Sequence, residues 1–335
     1  YWKKRLWIQM NSPRSWEWKK LGDKYYCLCY NKHMSRQIFL LVDAHALIYR
    51  AYYALPNLTD PEGHLVNAAY GFTRMFLTAI NHFEPEYSAV CFDHKGETLR
   101  KKHYEAYKAQ RAPMPDDLIP QIALVKELVD ALNVPRFEIE GYEADDLIGT
   151  INRQVEHLDG RLLTVIVTGD QDMFQLVDND THVWMPARGK QQGDMEYDRR
   201  LVEKKLQIKP SQIVDFKALS GDASDNIPGV KGIGKKTATK LIHRFASLEQ
   251  IYAFLDKNPT GDDLVKGALL TKLKEGKASA FLSQDLATIS TEVDLDFSLE
   301  ACRVTAYDKT KAIQLLNKLG FKSLIKLLPT DAFEH

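Results

Sequence analysis

The chain alternates short unbroken apolar runs with stretches in which apolar residues recur every three or four positions. Ile38 to Val42 (IFLLV), Ala89 to Phe92 (AVCF) and Leu162 to Val167 (LLTVIV) are of the first kind, and read as strands buried on both faces. Tyr70 to Phe83 has helical spacing, with Phe72, Met75, Phe76, Ala79 and Ile80 on one face. Ile122 to Leu132 is helical and stops before Pro135, and Glu143 opens a further helix running through Ile151 and Val155. Strand and helix repeated in this way predict an α/β domain over residues 35–200, with a central, mostly parallel sheet flanked by helices. After Leu201 the strand signal fades, and short helices with Gly-rich turns predict a helical region over 201–335. Residues 1–34 read differently: Trp2, Trp7, Trp16 and Trp18 lie among Lys and Arg with no helical or strand period. They are set aside as an atypical leader, disordered or mis-called, with Met34 as an alternative start.

Composition narrows the class without naming it. The 335 residues are 44% hydrophobic and 27% charged, which is ordinary for a soluble globular chain. No apolar run reaches the ~18 residues of a membrane span, and the start lacks the apolar core of a secretory signal. The four cysteines, Cys27, Cys29, Cys91 and Cys302, form no paired framework and point to a reducing compartment. Cys27 and Cys29 with His33 match no zinc spacing, so they read as unpaired thiols.

The formal net charge is zero, yet it is unevenly spread. Lys95, Arg100, Lys101, Lys102, Lys108 and Arg111 face only Glu97 and Glu105 in their segment. Lys231, Lys235, Lys236, Lys240 and Arg244 stand in a stretch with no acid. Local basic patches of this kind bind a polyanion whatever the total.

Each predicted strand ends in acid. Asp43 follows IFLLV, Asp93 follows AVCF, and Asp170 and Asp172 follow the third strand. Ligands of open α/β sheets bind at the carboxyl ends of the strands, so these acids should converge. Glu143, Asp145 and Asp146 (GYEADD) add three at a helix N-terminus, and Asp222 and Asp225 (GDASDN) add a fourth group. Any one of them taken alone is more often a cap or turn former. All four groups with one polarity argue for cations, since nine converging carboxylates repel. Oxygen-only ligation favours Mg²⁺, with Mn²⁺ able to substitute, over zinc. Two such ions about 4 Å apart activate water and stabilise the leaving oxygen of a phosphodiester.

Five motifs in order, VDAHALIYRAYYAL, CFDHKGETLRKKHYEAYKAQR, GYEADD, TGDQDMFQL and GDASDNIPGVKGIGKKTA, closely resemble the 5′-nuclease domain at the N-terminus of bacterial DNA polymerase I. They also resemble its free-standing flap-endonuclease relatives, from about Ile38 to the C-terminus. The resemblance implies a PIN-like nuclease core and a C-terminal helix–three-turn–helix region gripping duplex DNA. It implies a 5′-3′ exonuclease and flap endonuclease that acts on 5′ flaps, nicks or free 5′ ends in primer removal and repair. All nine acids fall on the family's metal-site or metal-adjacent positions: Asp93, Glu143 and Asp145 to one ion, Asp170, Asp172, Asp222 and Asp225 to the other. Asp146 would lie between them, and Asp43 would act largely through water.

Tyr107, Lys108 and Arg111 match residues contacting the scissile phosphate and its neighbouring base, and Arg50 matches another phosphate contact. Physically, Lys108 and Arg111 would offset transition-state charge and Tyr107 would stack on an unpaired base. The resemblance makes residues 94–120 a mobile arch for a single-stranded 5′ end. The hairpin 229–237, with Gly229, Gly232, Gly234, Lys235, Lys236 and Thr237, would hold duplex phosphates through backbone N–H groups and a helix N-terminus. The family commonly holds K⁺ on carbonyls there. A monomer in the bacterial cytoplasm, associated with the nucleoid, completes the expectation. A non-catalytic junction binder is the first rival, but it predicts lost acids and none is lost. A toxin-type RNA nuclease, the second, leaves the arch and hairpin unexplained.

Overall fold

The structure, a computed structural model, describes residues 36–156, 162–187 and 193–329, and the backbone of 15–21 and 24–30. The chain divides into two units, residues 1–37 and 38–335. In the first, strand β1 (Ser15–Leu21) pairs antiparallel with β2 (Lys24–Tyr30). The sequence reading found no strand period here. It is present locally, because Trp16 and Trp18 alternate with Glu17 and Lys19. Cys27 and Cys29 lie in β2, but their side chains and His33 fall outside the described residues.

The second unit is built on a six-stranded sheet in the order β5-β4-β3-β6-β7-β8. Its strands are β3 (Gln37–Asp43), β4 (Tyr87–Cys91), β5 (Arg136–Phe137), β6 (Leu162–Val167), β7 (Thr181–Met185) and β8 (Met195–Tyr197). β3 with β4, β4 with β5 and β6 with β7 pair parallel, and β8 closes the edge antiparallel to β7. Alternation along a strand sends successive side chains to opposite faces. Phe39 and Leu41 of β3 enter one core with Leu147, Ile148 and Ile151, whereas Leu40 and Val42 enter another with Leu47, Phe72 and Phe76. This double burial is why the strands read as unbroken apolar runs.

The second core is covered by α1 (Ala44–Ala54), α2 (Asn67–Phe83), α4 (Ile119–Ala131) and α12 (Lys309–Lys318). Between β4 and α4 lies a five-residue helix, α3 (Leu99–His103), none of whose residues is buried. The first core takes α5 (Ala144–Glu156) and extends into the C-terminal helices. These are α6 (Arg199–Leu206), α7 (Ile213–Ser220), α8 (Lys235–Phe245), α9 (Leu248–Lys257), α10 (Gly267–Glu275) and α11 (Lys277–Ala287). No helix among the described residues is long and apolar enough to cross a membrane.

The short strands β5, β7 and β8 are additions to the sequence reading. β5 has two residues, too few for any period, and β7 (THVWM) interrupts its apolar run with His182.

Candidate functional site

Three strand ends and two loops bring the predicted acids to one edge of the sheet. Asp43 ends β3 and is also the N-cap of α1, its Oδ1 accepting from the Ala46 amide at 3.1 Å. Its Oδ2 accepts from the Thr168 hydroxyl at 2.7 Å, which ties the end of β3 to that of β6. Asp93, two residues past β4, accepts from the Ala144 amide at 2.7 Å and so caps α5. Asp170 Oδ1 accepts from the Asp172 amide at 2.9 Å just past β6. The capping role and convergence thus coexist in the same residues.

The loop carrying Asp222 and Asp225 is fixed by its backbone. Asp222 and Ile227 exchange both amide hydrogen bonds at 2.9 Å. At its base Gly221 and Gly229 approach so closely that a Cβ on Gly229 (φ +63°) would overlap the Gly221 backbone. A side chain at either position would push the two acids out of place.

Protein cations occupy part of the cluster. Lys108 Nζ is 2.9 Å from Glu143 Oε2 and 3.8 Å from Asp225 Oδ2. Arg111 reaches Asp225 Oδ1 at 2.5 Å. Lys217, which the sequence reading missed, bridges Asp172 at 2.5 Å and Asp222 at 2.6 Å. Arg100 grips Asp146 through both terminal nitrogens, at 2.6 and 2.8 Å. Lys108 adopts a left-handed backbone (φ 53°), and its amide donates to the Asp225 carbonyl at 3.0 Å. Strain of that kind in a non-glycine residue persists only where surrounding contacts enforce it.

Electrostatics divides the acids. Burial, with Asp93 and Asp170 nearby, pushes Asp43 up to about 7. Burial and then Asp43 raise Asp145 well above the carboxylate range. Burial and Asp170 raise Asp172 to about 6 despite Lys217. For Asp222, burial is outweighed by hydrogen bonds from Lys217 and Ser224, which bring it down to about 2. Carboxylates that are costly to ionise without a counter-charge, on an oxygen-only donor set, fit a hard divalent cation. The Lys217 ammonium between two of them stands where positive charge is needed. The nine acids are not drawn into one tight knot. Among the described residues, the group whose ligand atoms all lie within 4.8 Å is Asp60, Glu62 and His64. That trio is a surface turn in which Asp60 caps the Glu62 and His64 amides at 2.9 Å.

The cleft beside the acids measures about 840 Å³ and is lined by Tyr49, Arg50, Tyr53, Arg111, Lys217 and Lys235, among others. Here the structure departs from two expectations. Tyr107, expected to stack on a base, is 3% exposed with its hydroxyl donating to Glu143 at 3.1 Å, so its ring offers no open face. The exposed aromatic is Tyr53, at 69%, whose ring stacks on Tyr49 with an interplanar angle of 14°. Arg50 lines the cleft but donates to the carbonyls of Pro186 and Ala187. Tyr49 and Tyr53 were legible as an i, i+4 aromatic pair in one motif; Lys217 gave no signal beyond being five residues before Asp222.

The basic segment is docked rather than free. Asn226 donates to the Ala106 carbonyl at 2.7 Å, and Leu99 donates to the Gly141 carbonyl at 2.8 Å. Lys235, Lys236 and Thr237 form the first turn of α8, with Gly234 as its N-cap, so the hairpin presents a helix N-terminus as expected. Two of its carbonyls are engaged from α10 and α11: Gly232 by Lys272 Nζ at 3.1 Å, and Gly229 by Ser279 at 2.6 Å.

Comparison with known proteins gives this geometry a lineage. The chain is 43% identical over 291 residues to DNA polymerase I of Caldicellulosiruptor bescii, covering 86% of this chain and 33% of that protein. It is 37% identical over 301 residues to DNA polymerase I of Bacillus subtilis, covering 89% and 33% respectively. The chain therefore spans about a third of the length of these relatives. Among solved structures, a bacteriophage T5 flap endonuclease complexed with DNA and metal ions superposes with a TM-score of 0.60 at 20% identity, covering 87% of this chain and 96% of that one. The catalytic core of Rad2 with DNA substrate gives 0.58 at 18% identity, covering 88% and 93%. At these identities the superpositions speak for the fold. Residues 38–207 match the 5′-3′ exonuclease N-terminal resolvase-like domain and residues 208–310 the 5′-3′ exonuclease C-terminal SAM fold, so the chain belongs to the 5′-3′ exonuclease family.

Proposed function

We infer that this chain is a structure-specific 5′-nuclease that hydrolyses DNA phosphodiesters near the junction of duplex with a 5′ flap, nick or free 5′ end. The observation that carries the reading is the gathering of acids from five segments at one edge of the sheet, three of which, Asp170, Asp172 and Asp222, line a cleft together with Arg111, Lys217 and Lys235. Divalent ions, Mg²⁺ or Mn²⁺, would be held by Asp93, Glu143, Asp145, Asp170 and Asp172, with Asp222, Asp225 and Asp43 beside them. Bound there, a pair of ions supplies Lewis-acid activation of water and charge for the leaving oxygen.

The chain's own residues do the remainder. Lys108 and Arg111, now paired with Glu143 and Asp225, are placed to transfer their charge to an incoming phosphate. The exposed Tyr53 on Tyr49 offers a stacking surface at the cleft mouth for a base beside the cut. Lys235, Lys236 and Thr237, with the N–H groups of Gly232 and Gly234, would grip the duplex backbone without reading sequence, whereas the buried Gly229 amide, expected to join them, already donates to the Ser283 hydroxyl at 2.8 Å. A K⁺ on the hairpin carbonyls remains part of the proposal, sharing that surface with Lys272. The enzyme would act as a monomer in the cytoplasm, beside the chromosome it repairs.

The reading is tested with a 5′-labelled flap duplex and Mg²⁺, beside an EDTA control and a plain single strand. Metal-dependent cutting at the junction, with the single strand cut far less, is the expected result. Tight junction binding with no cutting would overturn it.

A further inference from the structure

We propose that Asp146 and Arg100 form a buried bolt that positions the basic segment over the site, and that Asp146, alone among the acids of GYEADD, holds no metal ion. A carboxylate offers about four lone-pair sites. Those of Asp146 are taken by Arg100 at 2.6 and 2.8 Å, the Ser290 amide at 2.8 Å and the Glu143 amide at 3.2 Å. Its side chain is 5% exposed, so water adds nothing. Glu143 differs: Arg100, Tyr107 and Lys108 all donate to Oε2, and Oε1 carries no hydrogen bond among the described residues. Glu143 thus keeps an oxygen for an ion, and Asp146 keeps none.

The bolt joins three segments. Arg100 belongs to α3, Asp146 to the first turn of α5, and the third partner is the stretch after α11. There the Thr288 carbonyl accepts from Arg100 at 2.7 Å and the Ser290 amide reaches Asp146. Because α3 buries no residue of its own, apolar packing does not hold it, and Arg100 ties it to α5 and to the stretch after α11, beside the Leu99 amide on the Gly141 carbonyl. Lys108 follows eight residues later, and both touch Glu143 Oε2. Loosening the bolt therefore frees the segment that places Lys108. For Asp146 to turn toward an ion, it would have to leave a guanidinium that is only 14% exposed without its partner.

The experiment compares Asp146→Asn with Asp145→Asn in the full chain. Three readouts are used: the number of Mn²⁺ ions bound by calorimetry, the rate of trypsin cleavage at Lys101 and Lys102, and kcat and KM on the flap duplex. The kinetic arm rests on the nuclease reading; the first two do not, so a failure of that reading is separable. Asp146→Asn is expected to bind the wild-type number of Mn²⁺ ions and to be nicked about tenfold faster. Its kcat should fall about 10²-fold, with KM within about threefold of wild type. Asp145→Asn is expected to lose an ion and keep the wild-type trypsin rate. Should Asp146→Asn fail to fold, Arg100→Lys is read by the same criteria, since an ammonium keeps the charge but cannot make the two-pronged contact. An Asp146→Asn protein that binds one Mn²⁺ fewer, or one with unaltered trypsin rate and kcat, overturns the proposal.

Discussion

The acids of the site fall into two groups that the sequence writes in the same letters. Asp43, Asp93, Asp145 and Asp170 lie near the strand ends, and none has a Lys or Arg in ion-pair contact among the described residues. Their hydrogen bonds come from backbone amides and the Thr168 hydroxyl. Glu143, Asp146, Asp172, Asp222 and Asp225 each hold a protein cation, from Arg100, Lys108, Arg111 or Lys217. The contrast shows in their proton affinities: burial holds Asp43 up at about 7, whereas cationic and hydroxyl donors outweigh burial at Asp222 and bring it to about 2. The paired group keeps the cluster foldable before any ion arrives. The bare group is what a divalent ion must neutralise. Asp172 marks the border, since Lys217 does not offset its burial beside Asp170 and it stays at about 6.

Breaking the bare group should have the largest effect. Asp170→Asn is expected to reduce flap cleavage by about 10⁴-fold or more while DNA affinity, measured by fluorescence anisotropy, persists. The same variant should melt higher than wild type in EDTA, because one repelling charge has gone. Wild-type turnover by Asp170→Asn would collapse the distinction between the groups. Substitution within the paired group acts differently. Lys108→Ala should lower kcat by about 10²–10³-fold, the usual cost of losing a donor to developing charge. It should also melt lower in EDTA, since Glu143 and Asp225 lose a counter-charge. A loss confined to affinity would remove Lys108 from the chemistry and leave it a substrate contact.

Much of this architecture was legible in the sequence because strong periods and strong chemistry coincided. The unbroken runs that became β3, β4 and β6 announce burial on both faces, and each is followed by acid. The carboxyl-end rule then places those acids together without any structure. Their division into bare and paired was not legible. It depends on which cations fold back, and Lys217 is recruited from α7 by packing rather than by spacing. Tyr107 misled for a related reason: an aromatic between basic residues looks like a stacking platform, yet tertiary contacts turned its hydroxyl inward to Glu143. Its ring lies in the interior, and the exposed ring at the cleft is that of Tyr53. The terminal hairpin of β1 and β2 was passed over because its alternation is short and surrounded by charge.

The smallest effect is the dependence of metal-free stability on pH, and it probes Asp43 of the bare group and Asp172 at the border without a substitution. Asp43 rises from 3.8 to about 7 and Asp172 from 3.8 to about 6 on folding. The folded protein therefore binds more protons than the unfolded chain between about pH 4 and 7, and stability falls as pH rises through that window. Asp222 runs the other way, lowered from 3.8 to about 2, so its contribution is intact above pH 4 and lost only in stronger acid. From pH 6 to pH 8 in EDTA the raised pair should cost about 2 kcal/mol, a Tm lower by about 3 °C. Mg²⁺ replaces the proton as the counter-charge, so it should raise Tm more at pH 8 than at pH 6. Differential scanning calorimetry in the two buffers, with and without Mg²⁺, reads both slopes. A metal-free Tm that climbs from pH 6 to pH 8 would mean that the bare acids are already neutralised by the protein, and the ion would then have no electrostatic deficit to fill.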